Sequence, residues 1–111
     1  MAGILSRWFG GGARENTMDR EGTRADLDQL REFAASRTGV EFYVEPETFA
    51  TDTTVVAVAA DGEWIRRRVG APQTAAALAR KLGLPLYRAE VTGYPRRMRE
   101  WTARNTDGRR L

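Results

Sequence analysis

Residues 53–70 read TTVVAVAADGEWIRRRVG, and this stretch decides the fold. It opens with a nearly continuous apolar run, which predicts a central strand that is covered on both faces. Asp61 and Gly62 follow, and this pair predicts a two-residue type I′ hairpin turn. The chain then returns as a second strand over 63–69. The stretch therefore predicts an antiparallel hairpin inside a sheet.

The returning strand carries three consecutive arginines, which alternation distributes to both faces of a sheet. Ile65 and Val69 are expected to face the core, with Arg67 between them. The other face receives an aromatic ring and two guanidinium groups, those of Trp64, Arg66 and Arg68. A charged side chain that points inward protects a sheet edge from unwanted pairing, so this strand is interpreted as an edge strand.

Outward from the hairpin, periodicity and capping signals predict the remaining elements. They are a helix that begins at Thr23 and stops at Gly39, a strand over 40–45, a helix over 72–82, a strand over 86–91 and a helix that starts at Tyr94. The order is α-β-β-β-α-β-α. It indicates an α+β fold with two layers, in which a small, mostly antiparallel sheet of about four strands packs against helices.

Three segments are predicted: a flexible tail over 1–22, a single α+β domain over 23–104 and a frayed tail over 105–111. The first tail contains a short apolar cluster, formed by Ile4, Leu5, Trp8 and Phe9. Ordinary packing or disorder of this cluster is one interpretation. Docking to a membrane surface or to a partner is the other.

Composition removes several classes of chemistry. The 111 residues include no cysteine and no histidine, which excludes disulfides, thiolate metal sites and the usual neutral-pH proton shuttle. No apolar run approaches the ~20 residues of a membrane-spanning helix, so a cytoplasmic location is expected. Glu41 and Glu45 share a strand face but lie roughly 13 Å apart, too far for a paired-carboxylate mechanism. No cofactor, no metal and no catalytic residue is predicted.

Charge is distributed unevenly along the chain. Residues 23–61 hold three Arg and eight acids, a net −5, whereas residues 62–111 hold eleven Arg and one Lys against four acids, a net +8. This asymmetry indicates separate acidic and basic faces, or an intermolecular contact between them. The alternative is that folding interleaves the two signs.

The candidate binding residues combine arginines with one aromatic ring: Trp64, Arg66, Arg68, Arg88, Arg96, Arg97, Arg99 and Arg104. Guanidinium groups pair with carboxylates or phosphates, so we expect a non-enzymatic interaction module that binds an acidic protein surface or a second copy of itself. RNA or DNA binding by the same surface is the alternative, although no nucleic-acid-binding motif is present. Plain solvated charge also remains open.

Residues 24–104 resemble short, uncharacterised basic proteins of high-GC actinobacteria. The matching pieces are Asp61-Gly62-Glu63-Trp64, Arg66-Arg67-Arg68-Val69, Gly93-Tyr94-Pro95 and Arg97-Met98-Arg99. The resemblance implies no established activity. Some of these proteins carry an oxidoreductase label, which makes a small cofactor-dependent enzyme the third interpretation, but the chain contains no nucleotide fingerprint to support it.

Overall fold

The sheet has four strands in the spatial order β3-β2-β1-β4. In the computed structural model, which describes residues 17–110 and the side chains of residues 24–106, these strands are β1 (Glu41–Glu45), β2 (Thr53–Val58), β3 (Trp64–Gly70) and β4 (Leu86–Arg88). β2 pairs antiparallel with both β1 and β3, and β4 pairs parallel with β1. β3 and β4 are therefore the two edges.

Four helices complete the described range: α1 (Thr17–Ser36), α2 (Pro72–Leu82), α3 (Ala89–Thr92) and α4 (Arg96–Arg110). The predicted fold class is confirmed, as a small α+β fold whose mostly antiparallel sheet packs against helices. α1 and α2 cover one face of the sheet, whereas the predicted two layers would place all the helices on one face. The structure adds α3 to the element order, and it places α4 on the opposite face.

Two apolar clusters lie on opposite faces of the sheet because β2 sends alternate side chains to each. Val55 and Ala57 join the cluster under α1 and α2, whereas Val56 and Val58 join the cluster under α4. All four are fully buried. The prediction of a central strand with both faces covered is confirmed, and β2 forms the middle of the structure.

The β2–β3 turn differs from the predicted type I′ turn. The amide of Gly62 donates to the carbonyl of Ala59 over 2.9 Å, which puts Ala60 and Asp61 at the centre of the turn. A type I′ turn needs a positive φ at both central residues, but only glycines have positive φ in the described chain. Gly62, at φ +97°, instead follows the turn as a bulge residue. The bond from Ala59 N to Glu63 O, 2.8 Å, then closes the five-residue loop.

Both terminal helices extend into the segments predicted as tails. α1 begins at Thr17 rather than at Thr23, and α4 continues to Arg110 although a frayed end was expected from residue 105. Adding a residue to an existing helix is far easier than starting one, so these segments extend helices without an apolar period of their own. The side chain of Asn105, bonded to the Trp101 carbonyl over 2.8 Å, supports this part of α4.

The predicted last strand is shorter than expected, because it ends at Arg88 and the chain then forms α3. β4 is an edge strand with β1 as its neighbour, and their pairing stops at Val44 and Arg88. Beyond that point Ala89 packs against the cluster under α4, and its carbonyl accepts from the Gly93 amide over 2.8 Å. The predicted strand over 86–91 was therefore wrong beyond Arg88.

The apolar cluster of Ile4, Leu5, Trp8 and Phe9 lies outside the described residues, and its docking stays a prediction. Within residues 17–110, no helix combines the length and the apolar character needed to cross a membrane.

Candidate interaction surface

The three consecutive arginines of β3 separate to different partners. Arg66 crosses β2 on the α4 side of the sheet and forms two hydrogen bonds with the Glu45 carboxylate, at 2.9 and 3.0 Å. Its guanidinium carbon also lies 5.3 Å from the centre of the Trp64 ring, within cation–π range. Arg66 therefore forms a bidentate ion pair with Glu45 and covers the apolar cluster under α4.

Arg67 takes the opposite face, as alternation predicted. Its Nε lies 4.0 Å from a carboxylate oxygen of Asp26 in α1, and it donates to the side chain of Gln29. The same guanidinium donates to the carbonyl of Arg66 over 2.8 Å. In the antiparallel ladder between β2 and β3, every second residue of β3 is hydrogen-bonded to β2, and these residues are Ile65 and Arg67. Arg66 lies between them, so its carbonyl points away from β2. Arg67 thus occupies an acceptor on the open edge of the sheet.

Arg68 lies 4.0 Å from the Asp52 carboxylate, and Arg88 lies 3.1 Å from that of Glu90. Together with Arg66, these candidates are paired with acids rather than gathered in one patch. The Asp26 carboxyl near Arg67 is half-buried, and burial raises its pKa despite the attraction of Arg68 and Arg67.

Arg97 attaches α4 both to the β2–β3 turn and to β1. Its Nε donates to the carbonyl of Ala59 over 2.9 Å, and its Nη2 donates to Glu41 over 2.8 Å. Burial alone would raise the pKa of Glu41, but hydrogen bonds from Arg97 and Tyr43 outweigh it and hold the pKa below its ordinary value. Burial and the bond to Glu41 raise the pKa of Tyr43 to about 12. Tyr43 is therefore a protonated donor at neutral pH.

Glu45 is the centre of the polar network on this face, a role that the sequence analysis missed. It accepts from Thr54 over 2.5 Å and from the Tyr94 hydroxyl, in addition to Arg66. Burial would raise its pKa, but these bonds together hold it below the ordinary value. The sequence contained part of the signal, since alternation places Glu45 and Arg66 on known faces of their strands. Only the strand order, in which β2 separates β1 from β3, shows that both side chains lie on the same face of the sheet.

Trp64 packs against the rest of the protein and does not offer its ring to a binding partner. It is half-buried against the cluster under α4, and its indole N–H donates to the Thr102 hydroxyl over 2.7 Å. Its ring therefore contributes to the attachment of α4 and offers no open platform on which a base could stack.

Three candidate arginines of α4 are exposed, whereas Met98 of the same helix is buried: Arg96, Arg99 and Arg104. We call these three arginines the α4 outer face. The exposed Glu100 lies four residues from Arg96 and four from Arg104, so this side of the helix keeps a net positive charge that includes one acid. None of the three arginines forms a salt bridge with a side chain in residues 24–106, whereas the other candidate arginines do. Arg99 donates to the Tyr94 carbonyl over 3.3 Å, and Arg104 donates to the Asp61 carbonyl over 3.5 Å. Neutral carbonyls orient these groups without neutralising their charge.

The structure also contains an open cleft of about 490 Å³. Its lining includes Glu45, Thr54, Arg66, Ala89 and Tyr94. Within residues 24–106, no group of three or more acids is arranged to hold a metal ion.

Comparison with protein-family models, with curated proteins and with solved structures found no match for the chain. The resemblance to actinobacterial proteins stays a prediction. The fold and the contacts of its residues are the basis on which a function can be argued.

Proposed function

We propose that this protein is a non-enzymatic interaction module that presents the α4 outer face to an acidic protein partner. The observation that carries the proposal is the absence of a carboxylate partner at Arg96, Arg99 and Arg104 among the described side chains, while Arg66, Arg68, Arg88 and Arg97 have one. Positive charge that the fold does not neutralise attracts an acidic surface and accelerates its association.

Arginine suits this role better than lysine because its planar guanidinium donates two parallel hydrogen bonds to one carboxylate. The surface is smaller than the one expected from the sequence, since the β3 arginines have partners within the fold. It is also placed on a helix, which fixes the spacing between the charges. We place the module in the cytoplasm, in line with the expectation from composition.

Nucleic acid is the second candidate, because phosphates are bound by the same guanidinium groups. The half-buried ring of Trp64, already bonded through its indole nitrogen, gives this candidate no stacking contact. Binding through the α4 outer face alone would then be electrostatic, strongly salt-dependent and indifferent to sequence.

The test compares two exposed pairs of basic residues that carry equal charge. Arg96→Glu/Arg99→Glu changes the α4 outer face, and the control Arg80→Glu/Lys81→Glu changes the exposed end of α2 by the same amount. Binding of the full chain to a labelled poly-glutamate peptide, followed by fluorescence anisotropy, should weaken at least about tenfold in the first variant, which corresponds to ~1.4 kcal/mol. We expect less than a threefold change in the control.

Equal losses in the two variants would attribute binding to net charge and contradict the proposal. A single-stranded RNA oligonucleotide of equal charge is the comparison probe. If the RNA binds more tightly than the peptide and loses affinity in the same variant, nucleic acid becomes the function. Arg66→Glu is unsuitable for this test because it would place a second carboxylate against Glu45 and disturb the fold.

A further inference from the structure

Phe49 is the most exposed large apolar side chain in the described part of the chain, with a relative exposure of 104 %. It lies in the β1–β2 loop, whose tip is held by hydrogen bonds. The Thr48 amide donates to the Thr51 carbonyl over 2.8 Å, and the Thr48 hydroxyl accepts from the amides of Ala50 and Thr51 over 3.1 Å each. These bonds fix a phenyl ring in water, where an aromatic ring gains nothing unless it makes a contact.

The same loop forms one wall of the cleft of about 490 Å³, through Pro46, Thr48 and Thr51. A cavity of about 150 Å³ is enough to hold a benzene ring in another protein, so this cleft has room for a phenyl group. The Tyr94 ring and the Arg66 guanidinium line it, and both make favourable contacts with an inserted aromatic ring.

The other exposed large apolar side chains of the described residues are Tyr87 and Val91. Val91, which is 67 % exposed, follows the cleft residue Glu90 in α3. Tyr87, which is 38 % exposed, lines a smaller cleft of about 150 Å³ that shares Tyr94 with the larger one. Tyr87 thus adds exposed apolar surface next to Tyr94, and exposed apolar surface marks interaction sites.

The position of Phe49 favours a second copy of the chain as the occupant. The loop that carries this exposed ring also forms one wall of the cleft, so the same part of the surface holds both an aromatic ring and a cleft with room for one. In a two-fold dimer the loop of each copy would lie against the cleft of the other, and this contact would be made twice.

We propose that this protein forms a weak two-fold dimer in which Phe49 of each copy occupies the cleft of the other. This surface is separate from the α4 outer face, so each of the two proposals can fail without the other.

Sedimentation velocity of the full chain over a series of concentrations tests the dimer. Wild type should show a sedimentation coefficient that rises with concentration, as weak interfaces of small area do in the micromolar range and above. Phe49→Ser should raise the dissociation constant at least about tenfold. Because Phe49 is fully exposed, the thermal unfolding of the Phe49→Ser variant should match that of wild type. Phe49→Trp keeps an aromatic ring on the loop and should retain association.

Amide NMR shifts provide the second measurement. Dilution of wild type should move the signals of Ala89, Glu90 and the loop, and these signals should stay constant in Phe49→Ser. A wild type that stays monomeric at every concentration would overturn the dimer. Association that survives Phe49→Ser but is lost in Arg96→Glu/Arg99→Glu would also overturn it, and would assign self-association to the α4 outer face instead.

Discussion

Gly62 has no side chain, and both the β2–β3 turn and the packing of α4 against it depend on this. Its φ of +97° lies in a region that residues with a Cβ rarely adopt. A Cβ at this position would also lie 2.1 Å from the Arg97 carbonyl oxygen, a backbone atom that cannot turn aside. The close approach of α4 to the hairpin therefore requires glycine, whereas the turn alone would require only a positive φ.

Gly62→Ala should destabilise the protein by about 3 kcal/mol or more, since backbone strain of 1–3 kcal/mol is added to a clash with α4. Gly83→Ala is the matched control. Gly83 also has a positive φ, +70°, but a Cβ at this position would meet nothing within 4 Å. Urea unfolding should give a loss of about 1 kcal/mol for the control. Equal losses of stability in Gly62→Ala and Gly83→Ala would show that the close contact between Gly62 and α4 does not contribute to stability.

At the scale of elements, α4 is attached through a few polar contacts because it offers few apolar residues. Met98 is its buried apolar side chain in the described range, and the Trp64–Thr102 bond supports it from β3. Arg97 bonds to the Ala59 carbonyl, in the turn that follows β2, and to β1 through Glu41. Arg97 was expected to face a partner, but its contacts make it an anchor for the helix.

Arg97→Lys should lower the free energy of unfolding by about 1–2 kcal/mol, because an ammonium group cannot make both bonds of the guanidinium at these positions. Arg99→Lys, which keeps the charge of an exposed residue on the same helix, should change it by less than about 0.5 kcal/mol. Thermal or urea unfolding measures both. Similar effects of the two substitutions would contradict the anchoring role.

The elements that sequence patterns predicted well are those whose periodicity comes from burial. β1 and β3 send their side chains to the two faces as predicted, and β2 is covered on both faces as its apolar run predicted. α2 begins at Pro72 and ends before Gly83, as capping rules require. The turn type and the β4–α3 boundary depended on tertiary contacts. Asp61-Gly62 favours a two-residue turn locally, but the close approach of α4 requires glycine one position after the turn centre. A type I turn followed by a glycine bulge is the other hairpin that a glycine here allows, and the contact with α4 is specific to the folded protein.

At the scale of the whole molecule, the segregation of charge along the chain becomes pairing in space. Four described salt bridges join an acid of residues 23–61 to an arginine of residues 62–111: Glu45–Arg66, Asp26–Arg67, Asp52–Arg68 and Glu41–Arg97. The interleaving alternative thus accounts for much of the asymmetry. The candidate surface could be predicted only in part, because composition gives the number of arginines but strand order decides which of them meet a carboxylate.

This pairing predicts how stability depends on pH. The pKa values of Glu41 and Glu45 lie below the ordinary 4.5, so each contributes stability that is present above that pH and is lost as pH falls through the lower folded-state value. Asp26, whose pKa is raised by burial, opposes this trend because its protonation favours the folded state. The free energy of unfolding should therefore be nearly flat from pH 7 to about pH 5 and should decrease below ~4.5.

Urea unfolding across this range should show a smaller decrease in Glu41→Gln/Glu45→Gln. At pH 7 that variant should be less stable by about 2 kcal/mol, because Arg97 and Arg66 lose their charged partners in half-exposed positions. Glu32→Gln, at an exposed position of α1, should leave the profile unchanged. An unchanged profile in the double variant would mean that these two ion pairs do not set the acid sensitivity.

The contact of Arg67 with the Arg66 carbonyl has a consequence for the protein at high concentration. The TTVVAV segment of β2 is uncharged, rich in β-branched residues and free of proline, a composition that favours stacking into amyloid fibrils. An incoming strand can reach that segment only after β3 has detached, and on β3 it meets an acceptor that a guanidinium already occupies. The arginine run thereby hinders fibrillation during overproduction and storage.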